Sequence, residues 1–348
     1  MELYIYNRDL EFQGPLDVFD SLRWRRRYFQ PGEFELHCRA TRENIMLLLP
    51  ENIVSRRDAK EAGVIENIEI DNEELTVKGK FLSAYMGRRI IWSITTIRDT
   101  AENAMRKLVL DNCINSRLIP KLILGDLKGY TQTVELQVSY KNLLDKLTQI
   151  AKVSNLGYIL RPDFKNKQFY FEVYQGLDRS KEQSINPRAI FSDEFENVSN
   201  NKYNLACENY KNVGLVGGQG EGTSRIMVTV GSGEGLDRYE TFVDAKDTQK
   251  DETMTDIEYK ALLMQKGNEV LASNAVSESF ESDVNLQSNL IYKQDFDLGD
   301  IVTCVKREWG KVINVRITEI EEVYENGMIT ITPTFGSPLP ELADMLKD

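Results

Sequence analysis

Through residues 33–39 apolar and polar side chains alternate without a break. Phe34, Leu36 and Cys38 take one side; Glu33, Glu35, His37 and Arg39 take the other. A period of two belongs to a strand with one buried face, because successive side chains of an extended backbone point to opposite sides. Residues 64–70 and 75–77 form two further runs separated by Asp71-Asn72, which predicts a hairpin. The apolar run 90–94 predicts a more deeply buried strand, and 45–49 is a strand-sized apolar piece. Near Asp99 the period changes. Asp99 with Glu102 has the spacing of a capping box, and Ala104, Met105, Leu108 and Ile114 follow at helical intervals. A second helix is predicted from a Ser139 cap, with Leu143, Leu144, Leu147, Ile150 and Ala151 on one face and Gly157 as its left-handed stop. Residues 158–160 and 169–173 flank an Asn-Lys turn and predict another hairpin.

After the polar, proline-containing stretch 180–187, β character returns. Residues 225–230 predict a strand. Thr255 to Glu258 is a capping box that opens a helix with Tyr259, Leu262, Leu263 and Val270 toward a core. Strands are predicted over 301–305, 312–320 and 329–335, the last two joined through Asn326-Gly327, a strong signal for a two-residue turn. The fold class expected is α+β and mainly β. Two β domains (1–97 and 181–337) enclose an α/β insert (98–180), and 338–348 is a C-terminal tail.

Composition narrows the function. A chain of 348 residues exceeds one ordinary core, and 41 % hydrophobic with 28 % charged residues is that of a globular protein. The net charge of −12 opposes general nucleic-acid binding, which draws on Lys and Arg. The one basic cluster, Arg23-Trp24-Arg25-Arg26-Arg27, precedes a Pro31-Gly32 turn and is read as the solvated or intersubunit face of a hairpin arm. Cys38, Cys113, Cys207 and Cys304 are scattered and are read as buried, reduced thiols. The start, Met1-Glu2-Leu3-Tyr4, has no basic region leading into an apolar stretch, so no secretory signal and no membrane anchor are expected.

The chemistry-bearing residues offer little. His37, the single histidine, falls on the polar face of a strand and is read as solvated or interfacial rather than as a catalytic base. Gly217-Gly218-Gln219-Gly220-Glu221-Gly222 has the look of a phosphate loop, yet a strand follows it instead of a helix and Glu221 would repel an anion. Counting from Asp295, the twelfth position of an EF-hand would be Lys306, so 295–300 is read as the entrance to a strand with Gly299 at a bend. No catalytic, cofactor-binding or metal residue is assigned, and no cofactor is expected. Two other readings stay open: a cell-wall hydrolase using paired carboxylates, and a carbohydrate-binding module leaning on Tyr170, Tyr174 and Trp309.

Blocks spread along the chain carry a resemblance. They include Pro31-Gly32-Glu33-Phe34-Glu35-Leu36, Arg88-Arg89-Ile90-Ile91, the glycine loop 216–222 with Arg225, and Gly235-Leu236-Asp237-Arg238-Tyr239-Glu240. The C-terminal ones are Asp295-Phe296-Asp297-Leu298-Gly299-Asp300-Ile301-Val302, Glu322-Val323-Tyr324-Glu325 and Pro333-Thr334-Phe335-Gly336. In these the chain resembles the phage tail-protein family known as Siphovirus ReqiPepy6 Gp37-like, related in architecture to baseplate hub proteins. The resemblance implies a structural, non-enzymatic subunit of the virion tail, assembled in the host cytoplasm. It implies a homotrimeric ring whose partners are the tail tube or distal tail protein on one side and tip or fibre proteins on the other. The resemblance, not the periodicity, implies that both β domains are β-barrel-like. Six such domains from three chains would make a pseudo-sixfold collar, with DNA passing through an acidic lumen without specific binding. Related proteins often carry C-terminal fibre or cell-wall-degrading modules; this chain stops soon after Gly336, and no such module is expected.

Overall fold

Alternation in the first third resolves into strands that share one buried side. The computed structural model describes residues 1–250, 254–285 and 287–336. In chain order they open with β1 (Leu3–Tyr6), β2 (Phe12–Leu16), β3 (Ser21–Arg27) and β4 (Glu33–Arg39). Helix α1 (Arg42–Leu47), capped by Thr41, takes most of the apolar piece predicted as strand-sized, and β5 (Ile53–Arg56), β6 (Ala62–Asp71) and β7 (Glu74–Phe81) follow. The β6–β7 hairpin turns where predicted, with Asn72 at φ 53°. Trp24, Phe34, Leu36, Val77 and Phe81 are buried together on the inner side.

The predicted strand at 90–94 does not form. Ile90 makes one isolated bridge to Asn142, Ile91 is buried, and Trp92 and Ile94 stand 63 % and 48 % exposed. Beyond it come β8 (Thr95–Thr100), α2 (Ala101–Val109), β9 (Leu122–Leu124), β10 (Thr133–Val138), α3 (Leu143–Ser154), β11 (Gly157–Asp163) and β12 (Gln168–Tyr174). Both predicted caps shift by a few residues. Thr100 caps α2, while Glu102 is buried and accepts the backbone N–H groups of Lys128, Gly129 and Tyr130 at 2.7–3.1 Å. Asn142, not Ser139, caps α3, and Asn155 in the left-handed conformation ends it, leaving Gly157 to begin β11. The predicted apolar faces of α2 and α3 meet β8–β12 in one core.

The remaining strands are β13 (Ile190–Ser192), β14 (Val198–Ala206), β15 (Val213–Gly217), β16 (Met227–Gly231) and β17 (Glu240–Asp244). Helix α4 (Asp256–Ser273) carries the predicted capping box, and β18 (Ser277–Val284), β19 (Ile301–Lys306), β20 (Lys311–Glu325) and β21 (Met328–Gly336) complete the order. Strands β16-β15-β17 form a small sheet that packs on α4 around Val216, Val230, Tyr259 and Leu263. Asn326 and Gly327, at φ 52° and 75°, make the predicted turn between β20 and β21. The predicted tail, 338–348, lies outside the described residues.

Pairing unites the two ends of the chain. The main sheet runs β14-β18-β21-β20-β3-β4-β7-β6-β5-β1-β2, with β19 and β13 attached through β20. Its central join is β20 against β3, where Glu319 to Glu325 stand opposite Arg27 to Ser21. The mainly β fold with few helices is as predicted, whereas closure of the predicted barrel-like domains is not seen among the described residues. The strand order is open: among the described residues β2 and β14 each have a partner on one side only.

Candidate functional site: a charged seam between the two halves

Strand β3 forms the expected hairpin with β4, but it lies at the middle of the long sheet between β20 and β4, so its five-residue basic-aromatic run does not project as an arm. Its alternation sends Arg23, Arg25 and Arg27 to one face and Leu22, Trp24 and Arg26 to the other. On the first face, register sets unlike charges side by side across four strands. Arg27 and Arg25 stand opposite Glu319 and Glu321 of β20, Arg25 opposite Glu33 of β4, and Glu35 of β4 opposite Lys78 of β7. The contacts follow: Arg25 to Glu321 at 2.9 Å and to Glu33 at 3.2 Å, Arg27 to Glu319 at 3.3 Å and Lys78 to Glu35 at 3.2 Å. Cross-strand opposite charges contribute roughly 0.2–1 kcal/mol each, and a one-residue slip would reverse every face, so the columns act chiefly on register.

The inner face holds charges removed from water. Arg26 donates to Glu61 at 2.8 Å, Asp297 at 2.6 Å and the Tyr292 hydroxyl at 2.8 Å. Arg56 of β5, wholly buried, donates to Glu322 of β20 at 2.8 Å, to Asp58 at 2.6 Å and to the Tyr324 hydroxyl at 2.6 Å. Its guanidinium also lies 5.3 Å from the Trp24 ring centre and 4.9 Å from that of Tyr324. Burial alone would push the Glu322 carboxyl up, but the charges of Arg56 and Lys293 and the hydrogen bonds from Tyr324 and Arg56 together outweigh it and hold the group below its ordinary value. Both arginines therefore fasten residues before 62 to residues after 290. Nearby, Tyr28 is enclosed between Gly299, Tyr174 and Gly176; its hydroxyl donates to the Asn155 carbonyl at 3.1 Å, tying the insert to the same seam.

The residues weighed for chemistry fall into structural roles. His37 bridges Glu35 at 2.9 Å and Glu74 at 2.6 Å at the edge of the charge columns. Burial works to lower its pKa, yet the hydrogen bonds to Glu74 and Glu35 prevail and raise it above the ordinary value of 6.5. The glycine loop links β15 to β16 as expected. Arg225 occupies its Gly217 and Gly218 carbonyls at 2.7 and 2.9 Å, and the Tyr259 hydroxyl accepts from the Gln219 N–H at 2.7 Å. At the entrance to β19, Gly299 has φ 93° and Asp300 accepts from the Leu177 N–H at 2.7 Å and from Arg179 at 2.9 Å. Cys38, Cys113 and Cys304 are buried thiols; Cys207 is exposed, contrary to expectation, because it sits in the turn after β14. Tyr170 lies under Arg161, Tyr174 packs edge-on to Tyr28, and Trp309, 43 % exposed, meets Phe280 and Lys306. Among the described residues no group of three or more His, Cys, Asp or Glu is placed to hold a metal, and no helix is long and apolar enough to cross a membrane.

Two features of the seam escaped the sequence reading. Arg26 shares its face with Leu22 and Trp24, and that alternation signals burial. Arg56 carried no such signal, since its buried partners Glu322 and Tyr324 lie 266 and 268 positions away.

The same fold occurs in tail proteins of known structure. The 43 kDa tail protein of prophage MuSo2 from Shewanella oneidensis is 10 % identical with a TM-score of 0.59, covering 96 % of this chain and 98 % of that one. A tail protein from Neisseria meningitidis MC58 is 11 % identical with a TM-score of 0.61, covering 96 % of each chain. Prophage tail protein gp18 from Listeria monocytogenes EGD-e is 12 % identical with a TM-score of 0.55, covering 99 % and 97 %. No curated protein sequence matches. Residues 2–337, nearly the whole chain, match the Siphovirus ReqiPepy6 Gp37-like protein family, and the chain belongs to that family of phage tail proteins.

Proposed function

We propose that this phage tail protein is a hub subunit of the virion tail tip. Three copies form a ring that joins the tail tube, or a distal tail protein, to tip or fibre components. The observation that carries the reading is the long sheet, which joins strands from the first and last thirds of the chain and, among the described residues, stays open at β2 and β14. Open edges invite pairing, and repeated head-to-tail contacts between identical subunits close into a ring when the rotation permits. Pro15 on β2 removes a backbone donor at one edge, whereas β14 contains no proline. Residues 1–97 and 181–337 serve as the hub halves of each subunit, with 98–180 as an insert on the outside. The excess of twelve negative charges suits a lumen through which DNA slides without being held. No catalytic step is assigned. Light scattering of the purified chain over a range of concentrations tests the ring: a mass of three subunits, seen as closed rings by negative-stain microscopy, is expected. A closed dimer or an open filament would overturn it.

A further inference from the structure

The non-strand segment after β7 builds a cleft of about 320 Å³ lined by Gly87, Arg88, Arg89, Ile90, Trp92 and Arg117. Its charge is unusual for this chain. Arg88 is matched by Glu51, at 2.9 Å to each carboxylate oxygen. Arg89 and Arg117 have no carboxylate partner among the described residues. Arg89 donates to the carbonyls of Arg117 and Leu118 at 2.8 and 3.2 Å, and Arg117 to the Ile90 carbonyl at 3.0 Å and the Asn112 side chain at 2.7 Å. These bonds to neutral oxygens orient the guanidinium groups and leave their charge uncompensated. The Arg117 guanidinium lies 4.9 Å from the centre of the Trp92 ring, which is 63 % exposed, and Leu118 beside it is 65 % exposed. An aromatic and arginines on one rim form the kind of surface that anchors a protein partner.

The complement is on the same chain. Beyond Val64, strand β6 leaves β5 and pairs with β7 alone, so residues 67–71 carry an open strand edge. Along it, Glu66, Glu69 and Asp71 are exposed and have no ion-pair partner among the described residues, and Ile70 is 51 % exposed. The cleft thus carries arginines that no carboxylate pairs beside exposed apolar groups, and the hairpin edge carries carboxylates that no cation pairs, with Ile70 exposed on the other side of the strand. We infer that the β6–β7 hairpin of one copy docks into the Arg89–Arg117–Trp92 cleft of a second copy, a contact that rests on the ring reading and names the surfaces that make it. The two surfaces differ, so the contact is heterologous, the kind that generates rings.

Light scattering and thermal melting of the full chain and its variants test the docking. Reversing the hairpin (Glu69→Lys with Asp71→Lys) or the cleft (Arg89→Glu with Arg117→Glu) is expected to weaken association about tenfold or more, since like charges brought together at an interface are strongly disfavoured. Combining both reversals in one chain is expected to restore it. Arg89 and Arg117 also brace the cleft, so the hairpin variant, which removes no ion pair, decides where the cleft variant fails to fold; Trp92→Ser is a second probe from the cleft side. A trimer indifferent to hairpin reversal overturns the docking and leaves the ring intact. A chain monomeric at every concentration also overturns it, and leaves the ring to be nucleated by neighbouring tail proteins. A dimer that dissociates on reversal supports the docking and overturns the ring.

Discussion

Arg56 and Glu322 show how a single buried pair can couple distant parts of a chain. The two are almost fully enclosed, and the desolvation cost is offset by the contacts of Arg56 to Asp58, Tyr324 and the Trp24 ring. Removing one member leaves the other charged and unpaired, so Arg56→Met should cost about 3–5 kcal/mol in denaturant unfolding. Adding Glu322→Leu should recover at least half of the loss, because the uncompensated charge is then gone as well; no recovery would mean that the loss is one of packing. His37 gives a pH signature. Its folded pKa lies above the unfolded value near 6.5, so its contribution is fully present below that value and is lost as pH rises through the folded pKa. The stability difference between the native chain and His37→Gln should therefore be larger at pH 5.5 than at pH 8.5, with Glu35, whose pKa its hydrogen bond to His37 lowers, still ionised at the acidic end. Alternation placed His37 on the polar face correctly. It could not show that the imidazole joins two carboxylates, because Glu74 comes from a strand 37 positions away.

Signals that act over a few residues were legible at the level of elements. The Asn326-Gly327 turn, the capping box of α4 and the β6–β7 hairpin each rest on local backbone chemistry and appear where predicted. Residues 90–94 failed for the opposite reason: four apolar side chains in five positions suit a strand, but pairing partners are supplied by tertiary structure, and among the described residues Ile90 alone of the five makes a bridge. Caps near Asp99 and Ser139 slipped because several competent capping residues lie within a few positions, and the loop that delivers three N–H groups to Glu102 is a long-range feature. The bend at Gly299 combines a local and a distant demand. Its φ of 93° disfavours any side chain, and a Cβ there would lie 2.3 Å from the Tyr28 ring. Gly299→Ala should therefore cost more than the roughly 1–3 kcal/mol of the backbone conformation alone, and combining it with Tyr28→Leu, which removes the Cε2 atom that obstructs most, should lessen the penalty. Thermal melts of the three variants would check both expectations.

For the molecule as a whole, the sequence predicts a mainly β fold with few helices, and that much agrees with the structure. What could not be read was that the first and last thirds pair through β3 and β20, since a register between residues nearly three hundred positions apart leaves no local trace. The join makes a prediction about cooperativity. Backbone amides of β3 and β20 should exchange with solvent hydrogen at one common free energy, because neither strand can leave without exposing Arg26, Arg56 and their partners. The β15–β17 sheet with α4, which has its own apolar core, should open separately and at lower free energy. Distinct values for β3 and β20 would show that the halves are independent.

The columns of unlike charge across β20, β3, β4 and β7 also bear on how such a chain diverges. A lone change of sign at Glu321 would set a like charge against Arg23 and Arg25 and leave both without their shared anion. Reversal of neighbouring columns together preserves every contact. Drift along this face is therefore expected to proceed by linked exchanges across strands, so that two descendants could share the sheet and its register while bearing opposite charges at the same positions.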